Sequence, residues 1–113
     1  MKKLVGIISI VGFLLSNSVF AADAQNCVSL DPKWGSRCGS PDSLHIKVKN
    51  RCSQRVYVKI CLEKKDRKWN CGSDGTLDPG ETNTGFYTCH ATGDYRWSAC
   101  TKGSSECGFR NPK

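Results

Sequence analysis

Hydrophobic and polar residues alternate most regularly in the middle of the chain. Leu44, Ile46 and Val48 interleave with His45, Lys47 and Lys49, and Val56, Val58, Ile60 and Leu62 interleave with Arg55, Tyr57, Lys59 and Cys61. A period of two over such runs predicts strands with one buried face. Further strands are expected around Trp69 to Cys71, Phe86 to His90 and Tyr95 to Cys100. The stretches GSDG at Gly72 to Gly75, DPGE at Asp78 to Glu81 and TGD at Thr92 to Asp94 carry turn chemistry and would separate them. Ala22 to Asp42 reads as a polar, turn-rich opening, and the end of the chain as a short Gly/Ser-rich tail. β-Branched residues dominate the periodic runs, and no capped apolar stripe of helical length follows the first 21 residues. The expected class is therefore all-β: a small antiparallel β-sandwich or open barrel of about five to six strands.

The N-terminus has a different pattern. Met1, Lys2 and Lys3 give a basic start, and Leu4 to Leu15 form an apolar run of 12 residues. Crossing a bilayer takes roughly 20 apolar residues, so this run has the length of a signal-peptide core rather than of an anchor. Val19 and Ala21 occupy the positions a signal peptidase reads, so cleavage is expected after Ala21, with Ala22 as the neighbouring option. This divides the chain into a signal peptide, 1–21, and a single domain, 22–113. Cys27 lies too far from the small-residue site for a lipoprotein signal, so no lipid anchor is expected. Removing Lys2 and Lys3 from the 17 basic residues leaves 15 against 10 acidic ones, a net charge of +5 on 92 residues. No later segment is apolar enough to span a membrane. The expected location is the periplasm or the extracellular space.

A domain this small has a thin core and calls for covalent staples. Its eight cysteines, Cys27, Cys38, Cys52, Cys61, Cys71, Cys89, Cys100 and Cys107, are even in number and all follow the expected cleavage site. Export and pairing therefore agree. Structural zinc usually takes two ligands two to four residues apart, a spacing absent here, so neither a metal nor another cofactor is expected. Closing a loop of about ten residues is worth roughly 3 kcal/mol in the chain-entropy picture, so four bridges rival the whole net stability of a small domain. If Lys64 to Lys68 form a hairpin tip centred on Asp66, Glu63 faces Trp69 and Cys61 faces Cys71, which predicts a bridge between those two cysteines. Cys27 and Cys38 are expected to close the opening loop on itself. The pairing of Cys52, Cys89, Cys100 and Cys107 stays open.

From about Lys49 to Cys107, several short stretches occur in a suggestive order. They are N-R-C at Asn50 to Cys52, V-Y-V-K at Val56 to Lys59, L-D-P-G-E-T at Leu77 to Thr82, Y-R-W-S-A-C at Tyr95 to Cys100 and G-S-S-E-C-G at Gly103 to Gly108. This order resembles the opening part of thaumatin-like proteins, and also exported bacterial domains with an Asn-x-Cys strand and an L-x-P-G turn. The resemblance implies a disulfide-rich β-sandwich. Thaumatin-like proteins are considerably longer and their acidic cleft has no counterpart here, so their glucan-binding and membrane-active roles do not carry over.

Most catalytic signatures are absent. There is no G-x-S-x-G elbow, H-E-x-x-H helix or phosphate-binding glycine loop. One enzymatic alternative is a metal-free, ribonuclease-like phosphodiester cleavage, with His45 and His90 as base and acid and Lys47, Lys59 or Lys102 as the cation. The favoured reading is a non-enzymatic exported binding protein. If the two central strands pair as a hairpin, Lys49 faces Arg55, Lys47 faces Tyr57 and His45 faces Lys59. Lys47, Lys49, Arg55, Tyr57 and Lys59 would then form one basic sheet face for an anionic envelope polymer or an acidic protein. Of the three tryptophans, Trp97 is expected in the core and Trp69 partly exposed near the hairpin tip.

Overall fold

The computed structural model describes residues 23–101 and 105–113; the expected signal peptide and Lys102 lie outside that range. After a single 3-10 turn at Gln25–Cys27 come six strands: β1 (Val28–Trp34), β2 (Leu44–Asn50), β3 (Val56–Lys64), β4 (Trp69–Leu77), β5 (Thr82–Thr88) and β6 (Ala91–Cys100). A second 3-10 turn follows at Ser105–Gly108. The strands form two antiparallel three-stranded sheets, β1-β2-β5 (sheet A) and β4-β3-β6 (sheet B). Among the described residues no helix is long and apolar enough to cross a membrane.

The alternating runs do what their period requires. Leu44, Ile46 and Val48 from sheet A meet Val56, Val58, Ile60 and Leu62 from sheet B in one buried layer, closed by Leu77, Phe86, Ala91 and Ala99. Tyr95 and Trp97 pack against this layer, and Trp69 is half-buried beneath the guanidinium of Arg96, 5.5 Å from its ring centre. The β3–β4 hairpin forms as expected. Lys64 and Lys68 close the tip with a 2.8 Å hydrogen bond, Arg67 takes φ 73° inside it, and Glu63 faces Trp69 while Cys61 faces Cys71.

Several expectations are corrected. β1 runs through the stretch expected to be turn-rich; only Val28 and Leu30 reach the core from it, and Pro32 is tolerated because β1 is an edge strand. GSDG lies within β4 and TGD within β6. Their glycines admit aromatic rings: a Cβ on Gly72 would sit 3.3 Å from the Phe86 ring, and one on Gly93, where φ is 104°, would sit 3.3 Å from the Trp34 ring. DPGE does turn, with the amide of Glu81 donating to the carbonyl of Asp78 at 2.9 Å.

The four bridges are Cys27–Cys52, Cys38–Cys89, Cys61–Cys71 and Cys100–Cys107. The Cys61–Cys71 expectation holds, whereas Cys27 does not pair with Cys38. Because the opening segment is a strand and not a closed loop, Cys27 lies beside the end of β2 and Cys38 beside the β5–β6 turn.

A buried asparagine joins two of the short motifs. Asn50, fully buried, donates through Nδ2 to the carbonyls of Gln54 (2.8 Å) and Leu77 (2.9 Å) and accepts the amide of Cys52 on Oδ1 (2.7 Å). Its own amide donates to the Glu81 carbonyl and its carbonyl accepts from Gly80, so the Asn-Arg-Cys segment and the Asp-Pro-Gly-Glu turn are bonded together.

Candidate functional site

The expected basic face needed β2 and β3 to be neighbours, and they are in different sheets. The five residues are therefore divided. Arg55 stands in the β2–β3 connection, ion-paired at 2.7 Å with Asp78. Tyr57 and Lys59 lie on the outer face of sheet B, where the C-terminal segment crosses: Cys107 rests against the Tyr57 carbonyl at 3.6 Å and the Phe109 ring centre is 5.9 Å from Lys59 Nζ. Lys59 is 6% exposed as a result. Only Lys47 and Lys49 remain together, on the outer face of sheet A.

That face carries a different basic cluster. Residues opposite one another in a sheet project to the same side. Lys33 faces His45, which faces Tyr87; Asp31 faces Lys47; and Ser29 faces Lys49, which faces Thr82. Arg51 joins the face by donating from Nε to Ser29 Oγ at 3.1 Å. Arg37 joins it from the β1–β2 loop, which is held down by the Cys38–Cys89 bridge and by the Arg37 amide donating to Ser43 Oγ. Lys33, Arg37, Lys47, Lys49 and Arg51 thus share one surface with a single acid, Asp31. Among the described residues none of the five has a carboxylate within ion-pair distance.

Tyr87 stands at one border of this face, 39% exposed, with its ring fixed from two sides. The Arg37 guanidinium lies 4.7 Å from the ring centre, and the His45 ring meets it edge-on at 6.5 Å. Arg37 and His45 both reach the Thr84 carbonyl, at 3.0 Å and 2.7 Å. A carbonyl only accepts, so His45 Nε2 carries a proton and donates it, which assigns the tautomer by chemistry. His45 is 5% exposed and engaged in this way, while His90 is exposed and bonds through Nδ1 to Asp42 at 3.2 Å. The two histidines serve separate contacts, and no described hydrogen bond or ring contact joins them.

Beyond Tyr87 the facing edges of β4 and β5 part to leave a cleft of about 840 Å³. Tyr87, Thr88 and Gly85 line it from β5, Asn70 from β4, and Lys64, Lys65, Asp66 and His90 from the two tips. Asn70 bridges the edges by donating to the Tyr87 carbonyl at 3.0 Å, and Asn83 bridges them again by donating to Asp74 at 2.7 Å. Asp42 organises the rim. Ser40 Oγ donates to one of its oxygens, and Lys65 (3.0 Å) and His90 share the other. The Ser40 hydrogen bond, followed by those from Lys65 and His90, holds the Asp42 carboxyl well below the usual carboxylate range.

Sequence reasoning missed Lys33, Arg37, Arg51 and Tyr87 as members of one surface. The alternation in β2 marked Lys47 and Lys49 as outward, but their neighbours come from β1, whose strand pattern is broken by Asp31 and Pro32. No family model, curated protein or solved structure matches this chain.

Proposed function

We propose that this is an exported, non-enzymatic binding protein that docks an anionic polymer on the outer face of sheet A. The observation that carries the reading is the group Lys33, Arg37, Lys47, Lys49 and Arg51, gathered on one surface without ion-pair partners among the described residues. Exposed cations that neutralise one another's surroundings poorly concentrate positive potential, which attracts a polyanion and steers its approach. Export to the periplasm or the extracellular space is supported by the signal-like N-terminus together with four disulfides, which persist in oxidising compartments.

The test is polyanion binding by the disulfide-intact protein as a function of salt. Affinity should fall steeply as ionic strength passes the range where the Debye length shrinks to about 8 Å. Reversing Lys47 and Lys49 to Glu replaces two attractions by two repulsions. At about 0.5 kcal/mol for each exposed interaction this amounts to about 2 kcal/mol, or about thirtyfold in affinity. Binding that ignores salt and survives the double reversal refutes the reading.

A further inference from the structure

The basic face and the cleft are continuous through Tyr87, whose ring belongs to both. We propose that the polymer is an acidic polysaccharide, with one sugar ring seated in the β4–β5 cleft against Tyr87 while flanking anionic groups lie on the lysines and arginines of sheet A. This rests on the polyanion reading above and names the substrate class for it.

Three observations point to a sugar in the cleft. Its volume, about 840 Å³, is in the range of small-ligand sites and is ample for a saccharide unit. Its wall is an aromatic ring already immobilised by Arg37 and His45, so no side-chain freedom is lost when a flat apolar face stacks on it. Its rim mixes donors and acceptors at near-balanced charge. Lys65 and His90 share Asp42, Lys64 is 4.0 Å from Asp66, and Asn70 donates its amide while, among the described residues, nothing donates to its carbonyl oxygen. A sugar ring has an apolar C–H face bordered by hydroxyls that each donate and accept, which suits such a rim. A phosphate gains little there, because Asp42 and Asp66 offset the attraction of Lys64 and Lys65. The polymer's charges therefore belong on sheet A, and its neutral ring in the cleft.

A second, smaller hollow of about 150 Å³ continues inward past Asn70, Gly85 and Tyr87 to Ile60, Leu62 and Phe86. Gly85 lines both hollows and puts no side chain into either. Gly85 allows a filling variant: its added Cβ meets only the Asn83 side chain, at 3.3 Å.

The experiment titrates the disulfide-intact protein with a hyaluronan oligosaccharide, in which a neutral sugar alternates with a uronic acid, a polyphosphate matched in charge and an oligothymidylate, by calorimetry. The hyaluronan oligosaccharide should bind about tenfold more tightly than the polyphosphate, the scale of one aromatic stacking contact. Tyr87→Leu and Gly85→Val should each abolish that preference without changing polyphosphate affinity, while Lys47→Glu with Lys49→Glu weakens all three polymers. A preference retained in both cleft variants overturns the inference and leaves the basic face standing. Tighter binding of oligothymidylate overturns it in favour of a nucleic acid. A Tyr87-dependent preference that persists after the lysine reversal supports the cleft and refutes the basic face alone.

Discussion

Asn50→Ala should be among the most damaging single substitutions outside the bridges. It deletes three side-chain hydrogen bonds, those to the Gln54 and Leu77 carbonyls and from the Cys52 amide. Gln54 is exposed, so its carbonyl regains water at small cost. Leu77 is fully buried and Cys52 is 9% exposed, so their backbone groups are left unsatisfied. At about 1–3 kcal/mol for each of the two stranded groups, the loss is about 2–6 kcal/mol, a large part of the 5–15 kcal/mol typical of a small domain. Urea unfolding at 25 °C with the bridges intact should show the midpoint falling while the slope is unchanged. Asn50→Asp adds a sign test. The carboxylate keeps the acceptor for Cys52 but turns a charge toward two carbonyls in a buried site, which raises its folded-state pKa above the unfolded value of about 3.9. The charge penalty is then absent at pH below that value, where the protonated acid has one donor for the two carbonyls, and it grows as pH rises through the folded one. An Asn50→Ala loss under about 1 kcal/mol, or an Asn50→Asp penalty that does not grow between pH 3 and pH 7, would falsify the role assigned to this residue.

Two further outcomes follow from the bridges and the rim of the cleft. Replacing Cys38 and Cys89 by Ser, which opens a closure with a sequence separation of 51, should cost about 4 kcal/mol in the chain-entropy picture. Replacing Cys100 and Cys107, with a separation of 7, should cost about 2.5 kcal/mol, and equal midpoint shifts in urea would contradict that ordering. The Asp42 carboxyl is held below its ordinary range, so it contributes stability above about pH 4 that is lost as pH falls. The stability gap between wild type and Asp42→Asn should therefore narrow from pH 7 toward acid, and a gap constant with pH would remove Asp42 from that role.

The core was legible in the sequence because Leu44 to Val48 and Val56 to Leu62 are central strands, where burial of one face imposes strict alternation. The β3–β4 hairpin and its Cys61–Cys71 bridge were legible because a short tip sets the register of everything beside it. Edge strands were legible only in part: β4, β5 and β6 are expected over shorter stretches, and β1 reads as turns. β1 holds Asp31 and Pro32 because one side of it needs no ladder partner, and β4 holds Gly72 because Phe86 packs where a side chain would be. Glycine reads as a turn signal along the chain, yet here it also marks where a ring from the other sheet or another strand comes close. The basic face was half legible: strand parity put Lys47 and Lys49 outward, but parity says nothing about which strand lies alongside. Tyr57 and Lys59 were lost to the face for a second reason, since the C-terminal segment that covers them has no periodic pattern.

No disulfide has one sulfur in each sheet. Cys27–Cys52 ties the start of β1 to the end of β2, and Cys38–Cys89 ties the β1–β2 loop to the chain leaving β5; the other two belong to sheet B and its tail. Each leaf of the sandwich is therefore stitched within itself, and the seam between leaves is held by apolar packing and by non-covalent polar links, among them those of Asn50, Asn70 and Asn83 and the Lys65–Asp42 pair. Oxidation strengthens the leaves without locking the seam. No disulfide spans the margin where β4 and β5 face one another, and hydrogen bonds from Asn70 and Asn83 are what cross it.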